Sequence, residues 1–162
     1  IGAGRLVKTP TSATVYMTDG DDKLVPMSTF DSAADMGVPM SIRVIGDEIL
    51  SKYTVDYTSV LSSYLSCNGG NYVSVGGAIY PINIDNLTPR ILQRQTCNML
   101  TIKNALPSFI LAPYGTIYQL KDKTLYPITS WGKYQSLVGT YGGATVSATR
   151  STINLFHQGT AL

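Results

Sequence analysis

The residues that could perform catalysis are few and scattered along the chain. His157 is the only histidine, and Cys67 and Cys97 are the only cysteines. A nucleophile activated by an imidazole base would have to use His157, and no serine lies in a G-x-S-x-G motif. We therefore expect His157 to be a surface or packing residue, and we expect no enzymatic activity.

Two further motifs favour structural interpretations over chemistry. Ser130 and Lys133 have S-x-x-K spacing, but the K-T-G and S-D-N motifs that accompany it in penicillin-recognising enzymes are absent. The acidic run at residues 19–22 could offer oxygen ligands to calcium, but it lacks EF-hand spacing and lies where a hairpin must turn. One histidine cannot complete a Cys₂His₂ zinc site. We expect no metal and no cofactor.

The two cysteines allow two interpretations. Cys67 and Cys97 are either buried free thiols or a disulfide that closes a loop of about thirty residues. The chain has few charges and many hydroxyl groups and tyrosines, which is typical of an extracellular surface. In such an oxidising compartment cysteines pair, so we favour the disulfide.

Aromatic side chains are the strongest candidates for binding. The chain contains eleven Tyr, three Phe and one Trp. A flat ring beside hydroxyls and amides suits a sugar, and the same amphipathic rings suit protein recognition. Strand alternation predicts that Tyr80 and Tyr126, beside prolines, face outward, and Tyr114 and Tyr134 lie near loops. Trp131 is either a core residue or a platform for a ligand. The candidate ligand-binding residues are Tyr80, Tyr126, Trp131, Tyr134 and Tyr114.

Composition excludes several classes of protein. Charged residues make up 14% of the 162 residues, and the formal net charge is +2. Normal apolar content with so little net charge argues against disorder, and scattered, balanced charges argue against nucleic-acid binding. The uncharged run at residues 104–120 is too short and too broken by proline for membrane insertion. The chain begins at Ile1, so we interpret it as a processed product or an excised domain.

An internal repeat organises the chain. Three segments align on a proline, at residues 15–27, 72–82 and 117–128. Tyr72 and Tyr118 precede their prolines by nine residues and Tyr16 by ten, which fits one extra residue in the first turn. Runs of Tyr, Val, Ile and Leu around a turn with Gly or Asp predict a β-hairpin in each segment.

The repeat continues beyond the hairpins. Segments 30–36 and 131–138 predict helices that end at Gly37 and Gly139. An apolar pair at i, i+3 then predicts a second short helix in each unit, at Leu50/Tyr53, Leu106/Phe109 and Ile153/Phe156. We predict one α+β domain of three pseudo-equivalent β-hairpin plus helix units, at about 1–62, 63–109 and 110–162. The units either close with pseudo-threefold symmetry or are cut from a longer array.

The repeat segments resemble a module of secreted actinobacterial proteins, often appended to hydrolases, and of some bacterial surface and phage-associated proteins. The shared pattern is a Tyr-containing hairpin, a Tyr-Pro-Ile or Val-Pro ending, then Phe or Trp and a helix. The middle segment resembles a variant with one cysteine before the hairpin and one after the helix, which further supports pairing of Cys67 with Cys97. The resemblance implies an accessory module at a cell surface or wall.

These observations predict a non-catalytic extracellular binding module. The expected partner is a cell-wall polysaccharide or a surface glycan, with no nucleic acid and no membrane insertion. The alternative is a structural or receptor-binding component of a phage particle or surface assembly, which would place the chain on a virion. A larger parent protein or assembly fits both interpretations.

Overall fold

The computed structural model describes residues 1–162 and contains three small sheets and five short helices. The strands are β1 Leu6–Lys8, β2 Tyr16–Asp19, β3 Lys23–Pro26, β4 Ile42–Val44, β5 Thr54–Val55, β6 Tyr64–Cys67, β7 Gly70–Val75, β8 Ala78–Pro81, β9 Arg90–Ile91, β10 Phe109–Leu111, β11 Ile117–Lys121, β12 Thr124–Ile128, β13 Thr145–Ser147 and β14 His157–Gln158. The helices are α1 Asp31–Met36, α2 Asp47–Leu50, α3 Arg94–Met99, α4 Trp131–Tyr141 and α5 Arg150–Ile153. The predicted α+β class with three similar units is confirmed.

Each sheet is built around one of the predicted hairpins. The same tyrosine–proline pairing sets the register in all three: Tyr16 opposite Pro26, Tyr72 opposite Pro81 and Tyr118 opposite Pro127. Two of the hairpins turn through two residues with positive φ, Gly76–Gly77 and Asp122–Lys123, a conformation that matches the twist of the strands. The first turn has three residues between its strands, which explains the extra residue before Pro26.

Parallel strands complete the sheets on both sides of the hairpins. In the first unit β4 pairs with β1 and β5 pairs with β3, and in the third unit β13 pairs with β10 and β14 pairs with β12. The resulting orders are β4-β1-β2-β3-β5 and β13-β10-β11-β12-β14. Parallel neighbours need a crossover, and the helices α1, α2, α4 and α5 lie in these connections.

The helix that follows the first hairpin ends as predicted, and the one that follows the third hairpin does not. Gly37 caps α1 with φ of +80°, and a Cβ there would lie 2.6 Å from the Gly77 carbonyl oxygen, so only glycine fits. The prediction that the later helix stops at Gly139 is wrong, because α4 continues to Tyr141 and is capped by Gly142. A Cβ on Gly139 would contact nothing, so packing does not require glycine there, and its cost inside the helix is about 1 kcal/mol relative to alanine.

The middle unit differs from the prediction in its helix. The pair Leu106/Phe109 does not form a helix: Phe109 begins β10, and Pro107 between the two residues disfavours helical backbone. The second helix of this unit is α3, which follows β9 directly, and the unit has no helix between β8 and β9. Its fifth strand is reduced to one bridge between Ile79 and Ile102.

Residues that precede each second helix lie at equivalent places. One backbone hydrogen bond joins these residues to the first strand of their own unit. The donors are the N–H groups of Ile45, Leu92 and Ala148, and the acceptors are the carbonyls of Lys8, Ser66 and Leu111, at or next to the ends of β1, β6 and β10. We call residues 45–50, 92–97 and 148–153 the inserting segments. Each contains the start of the second helix of its unit, and each ends at an equivalent residue, Leu50, Cys97 or Ile153.

The units stack head to tail through two hydrophobic cores. One core joins Leu6, Met17 and Val25 of the first unit to Leu92 and Cys97 of the middle unit. The other joins a face of the middle unit to the third unit, and it contains Tyr64, Val73, Tyr80, Ile110, Leu125, Ile153 and Phe156. In both cores the inserting segment of the later unit packs against a sheet face of the earlier one. We call that sheet face the receiving face.

The predicted disulfide is present between Cys67 and Cys97, with 5.7 Å between their Cα atoms. It attaches α3 to β6 inside the core that joins the first and middle units. The adjacent Thr96 hydroxyl donates to the Asp19 carboxylate at 2.7 Å and accepts from the Gly20 N–H at 2.8 Å. The disulfide therefore holds the inserting segment that contacts the first hairpin turn.

A buried carboxylate joins all three units. Asp35 in α1 is 3% exposed, and it accepts hydrogen bonds from the Thr149 N–H and hydroxyl and from the Thr152 hydroxyl of the third unit. The Gly76 N–H of the middle unit lies 3.4 Å from the same carboxylate. Nearby, the Ser151 hydroxyl donates to Asp31 at 2.8 Å. Polar contacts thus connect the first unit to the third, where the two share no hydrophobic core.

Candidate functional site

Three surface grooves occur at equivalent places in the three units. Each lies between the segment that enters the hairpin and the segment that leaves its proline-bearing strand. The first groove is lined by residues 13–15 and 27–30, and its volume is about 320 Å³. The middle groove is lined by residues 69–72 and 81–83 and measures about 430 Å³. The third groove is lined by residues 115–117, 128–131 and Tyr134 and measures about 200 Å³.

The third groove has an aromatic wall. The Trp131 side chain is 65% exposed, and its ring centroid lies 5.2 Å from that of Tyr134. Tyr134 is fixed on its other side by an edge-on contact with the buried Phe109 ring and by a hydrogen bond to the Thr145 hydroxyl. Trp131 therefore stands on a rigid support and presents an open indole face, and α4 positions both rings because they are three residues apart.

Hydroxyl groups form the rest of the third groove. Thr116, Thr129 and Ser130 line it. The Ser130 Oγ accepts a hydrogen bond from the Lys133 N–H at 3.1 Å as the N-cap of α4, so its own proton remains available to a ligand. A flat ring bordered by donors and acceptors matches a ligand with apolar C–H faces and a hydroxyl rim.

The first groove repeats this arrangement with a smaller ring. Phe30 takes the place of Trp131 four residues after the proline, and it is 44% exposed. Thr14, Ser28 and Thr29 supply hydroxyls where the third groove has Thr116, Thr129 and Ser130. Phe30 aligns with Trp131 in the sequence repeat, but it is not among the candidate binding residues selected from the sequence. Its equivalence to Trp131 was the signal that could have identified it.

The middle groove replaces hydroxyls with amides. The Asn71 amide donates to the Asn83 carbonyl oxygen at 3.1 Å and lies 3.3 Å from the Tyr64 hydroxyl. The Tyr72 ring lies over Gly70, where a Cβ would approach it to 3.1 Å. No helix follows this hairpin, so the aromatic wall comes from the strand instead.

Tyr80 does not face outward as expected. Its side chain is 3% exposed in the core between the middle and third units, and this burial raises the pKa of its phenol. Strand alternation failed here because stacking buries both faces of the middle sheet. Tyr80 is therefore a core residue in this structure.

The remaining predicted residues lie apart from the third groove. Tyr126 lies on the other side of α4, in a depression shared with Lys121 and Tyr141. Tyr114 is 44% exposed, and its hydroxyl lies 2.8 Å from that of Tyr118. The Arg150 guanidinium stacks over the Tyr114 ring at 4.6 Å. The structure thus brings Trp131 and Tyr134 together in the third groove, and neither Tyr126 nor Tyr114 lines it.

Tyr118 is the most strongly perturbed phenol. Burial, followed by the hydrogen bond to Tyr114, raises its pKa to about 12, against a small opposing effect of Arg150. The phenol therefore stays neutral at physiological pH. Since it lies in the core between units, this shift reflects packing rather than a catalytic environment.

A depression around Arg90 is occupied by its own internal contacts. The Arg90 guanidinium is paired with the Asp56 carboxylate at 3.2 Å and donates to the Ser59 hydroxyl at 2.8 Å. Hydrogen bonds from Thr58 lower the pKa of Asp56, and Arg90 lowers it further. The ion pair connects the linker after the first unit to β9, which is a structural role.

The residues considered for catalysis are not assembled into a site. Both cysteines are in the disulfide, and an oxidised sulfur cannot act as a thiolate nucleophile. His157 is exposed in β14, opposite Thr124. Asp19 of the acidic run is bonded to Gln93 and Thr96 rather than being free to bind a metal. No helix is long and apolar enough to cross a bilayer.

Comparisons with known proteins identify no family. No protein-family model and no curated protein matches the chain. A chain of an intact ESX-5 inner membrane complex is 13% identical with a TM-score of 0.28, over 98% of this chain and 52% of that chain. A chain of the periplasmic assembly from that complex is 6% identical with a TM-score of 0.30, over 99% of this chain and 67% of that one. The chain spans about half the length of the first of these two chains. Structural similarity at these TM-scores establishes no shared fold or function.

Proposed function

We propose that this chain is a non-catalytic binding module that works outside the cytoplasm and recognises a cell-wall polysaccharide or surface glycan. The observation that carries the proposal is the threefold recurrence of one groove, lined by an aromatic ring and hydrogen-bonding side chains. The disulfide fits an oxidising compartment outside the cytoplasm. The finer location is the cell surface, with a virion surface as the alternative.

The grooves differ in how strongly they would bind. Trp131 offers the largest exposed ring, so the third groove is the principal site, and Phe30 and Tyr72 provide weaker ones. A polymer with repeating sugars can occupy more than one groove of the same molecule. Because the second contact is then intramolecular, the retention on a polymer exceeds that of any single groove.

The proposal is tested by pull-down on purified bacterial cell walls and on insoluble polysaccharides at low and high salt. We expect salt-resistant retention whose affinity falls about five- to thirtyfold in Trp131→Ala, because one stacked ring contributes roughly 1–2 kcal/mol. Tyr57→Ala is the matched control, since Tyr57 is 75% exposed and lies in none of the three grooves. Retention that disappears at high salt, or that is equal in both variants, would contradict the proposal.

A second candidate function is a structural part of a surface or phage assembly. The observation that favours this second function is the eleven-residue helix α4. No residue of α4 is buried, and the helix exposes Trp131 and Tyr141 on the surface of the third unit. This candidate predicts retention by a protein partner or by other copies of the chain, and no retention on any glycan.

A further inference from the structure

The two ends of the stack expose the two halves of the contact that joins neighbouring units, an inserting segment at one end and a depression on a receiving face at the other. Inside the chain, the receiving face of the first unit accepts residues 92–97 and that of the middle unit accepts residues 148–153. No inserting segment packs on the receiving face of the third unit, where α4 covers Phe109 and leaves a depression beside it. The first unit has an inserting segment, residues 45–50, that no other unit receives. A similar contact, between residues 45–50 and the depression beside α4, would join two chains.

The open receiving face is a depression of about 360 Å³. Gln119, Tyr126 and Leu162 line it, at positions equivalent to Met17, Val25 and Leu61 of the first unit. In the first unit these equivalents are 0%, 0% and 6% exposed, because Leu92 and Cys97 cover them. In the third unit Gln119 is also buried, at 7% exposure, whereas Tyr126 is half-buried and Leu162 is 38% exposed. Leu137 of α4 borders the same space.

The free inserting segment shows the corresponding exposure. Ile49 aligns with Thr96 and Thr152, each one residue before the last residue of its inserting segment, and both threonines are fully buried against the neighbouring unit. Ile49 is 41% exposed. An apolar side chain thus stands in solvent at the position that the other two units bury.

The charges of the two ends are also complementary. The free segment carries Asp47 and Glu48 at the start of α2. The depression is lined by Lys121 and Lys133, together with one acidic residue, Asp122. Lys121 lies at the position of Asp19, which is the residue that bonds Thr96 of the inserting segment inside the chain. Opposite charges at the two ends favour encounter in this orientation.

We propose that the depression of the third unit binds residues 45–50 of a second copy of this chain, so that molecules associate head to tail. Such a contact is heterologous: the two partners use different surfaces, and each bound molecule keeps one end free for another. The depression and the third groove share no lining residue, so self-association through the depression leaves Trp131 and the hydroxyls of the proposed glycan site outside the contact.

Two blocking variants test the proposal by sedimentation velocity over micromolar to millimolar concentrations. Wild type should increase in mass with concentration, and Leu137→Asp and Ile49→Asp should each stay at the 17.5 kDa of one chain. Their equimolar mixture should form a complex of twice that mass and no larger, because one intact depression meets one intact segment. That complex would also show that both variants are folded.

Three results would overturn the proposal. Wild type could remain a single chain at every concentration. Ile49→Asp could still dimerise by itself, which would indicate a contact between two identical surfaces. The mixture could stay monomeric although near-ultraviolet circular dichroism shows both variants folded. None of these results depends on glycan retention, so the proposed function stands or falls separately.

Discussion

At the scale of single residues, Asp35 connects more of the molecule than any residue selected from the sequence. Its buried carboxylate accepts hydrogen bonds from two threonines of the third unit and lies within reach of a backbone N–H of the middle unit. If the Asp35 carboxylate is replaced, the buried hydrogen-bond donors around it lose an acceptor, and a buried polar group without a partner lowers the stability of the fold. The sequence offered no sign of this, because Asp35 looks like an ordinary acid on a short helix.

We predict that Asp35→Asn lowers the free energy of unfolding by about 1–3 kcal/mol, because an amide places an N–H where the site requires acceptors. The measurement is the urea midpoint at unchanged slope. Asp31→Asn is the matched control: it lies in the same helix, is only half-buried and bonds Ser151 alone, so its loss should be smaller. Equal midpoints for Asp35→Asn and wild type would contradict the assigned role.

Buried phenols make stability fall at alkaline pH. The folded-state pKa is raised for Tyr16 and Tyr80, mainly by burial, and reaches about 12 for Tyr118. A raised pKa favours folding fully below the unfolded value of about 10, and that contribution is lost as pH rises towards the folded value. We predict that phenolate absorbance of native protein develops in two stages, with the late stage reduced in Tyr118→Phe. A single stage near the ordinary tyrosine pKa would contradict this.

At the scale of elements, the disulfide controls the contact between the first and middle units. It holds α3 against β6, and α3 presents Thr96 to Asp19. We predict that Cys67→Ala/Cys97→Ala loses about 3–4 kcal/mol of stability, from the freed loop of thirty residues. Hydrogen exchange should accelerate in residues 92–97 and in the β2–β3 hairpin. Acceleration confined to the third unit would show that the disulfide does not act through this contact.

The hairpins could be predicted from sequence because their signals are local. Each needs only a turn residue and two short apolar runs, and the tyrosine–proline spacing gave the register that the structure has. The second helix of the middle unit could not be found by counting from the proline. The middle unit lacks the first helix, so fewer residues separate its proline from its second helix. Cys97 lies sixteen residues after Pro81, whereas the equivalent Leu50 lies twenty-four residues after Pro26.

The orientation of side chains on the sheets depends on stacking, which sequence alternation does not report. Alternation predicts which residues share a face, but it cannot say that both faces are covered. For this reason Tyr80 was expected outside and lies in the core, whereas Trp131 remains exposed on the last unit. The sequence predicted that the candidate site is aromatic. It did not predict three equivalent grooves, because each groove is formed by two segments that only the folded hairpin brings together.

At the scale of the whole molecule, the stack separates two kinds of surface. Grooves at the hairpin entrances recur in every unit and stay open. The receiving faces of two units are filled by an inserting segment, whereas that of the third is covered in part by α4 and keeps a depression beside it. The first kind suits a polymeric ligand, and the second suits another copy of the chain. If both operate, head-to-tail association would multiply the number of grooves along one polymer and raise retention without any new contact.

The most direct test of glycan recognition uses the single tryptophan as its own reporter. Trp131 is the only Trp in the chain, and it is the exposed ring of the third groove, so intrinsic fluorescence observes this site alone. Titration with soluble cell-wall oligosaccharides should give a saturable blue shift or intensity change, because a stacked sugar removes water from the indole face. Emission that stays unchanged up to millimolar oligosaccharide, for every wall fragment tried, would contradict recognition of a glycan by this groove.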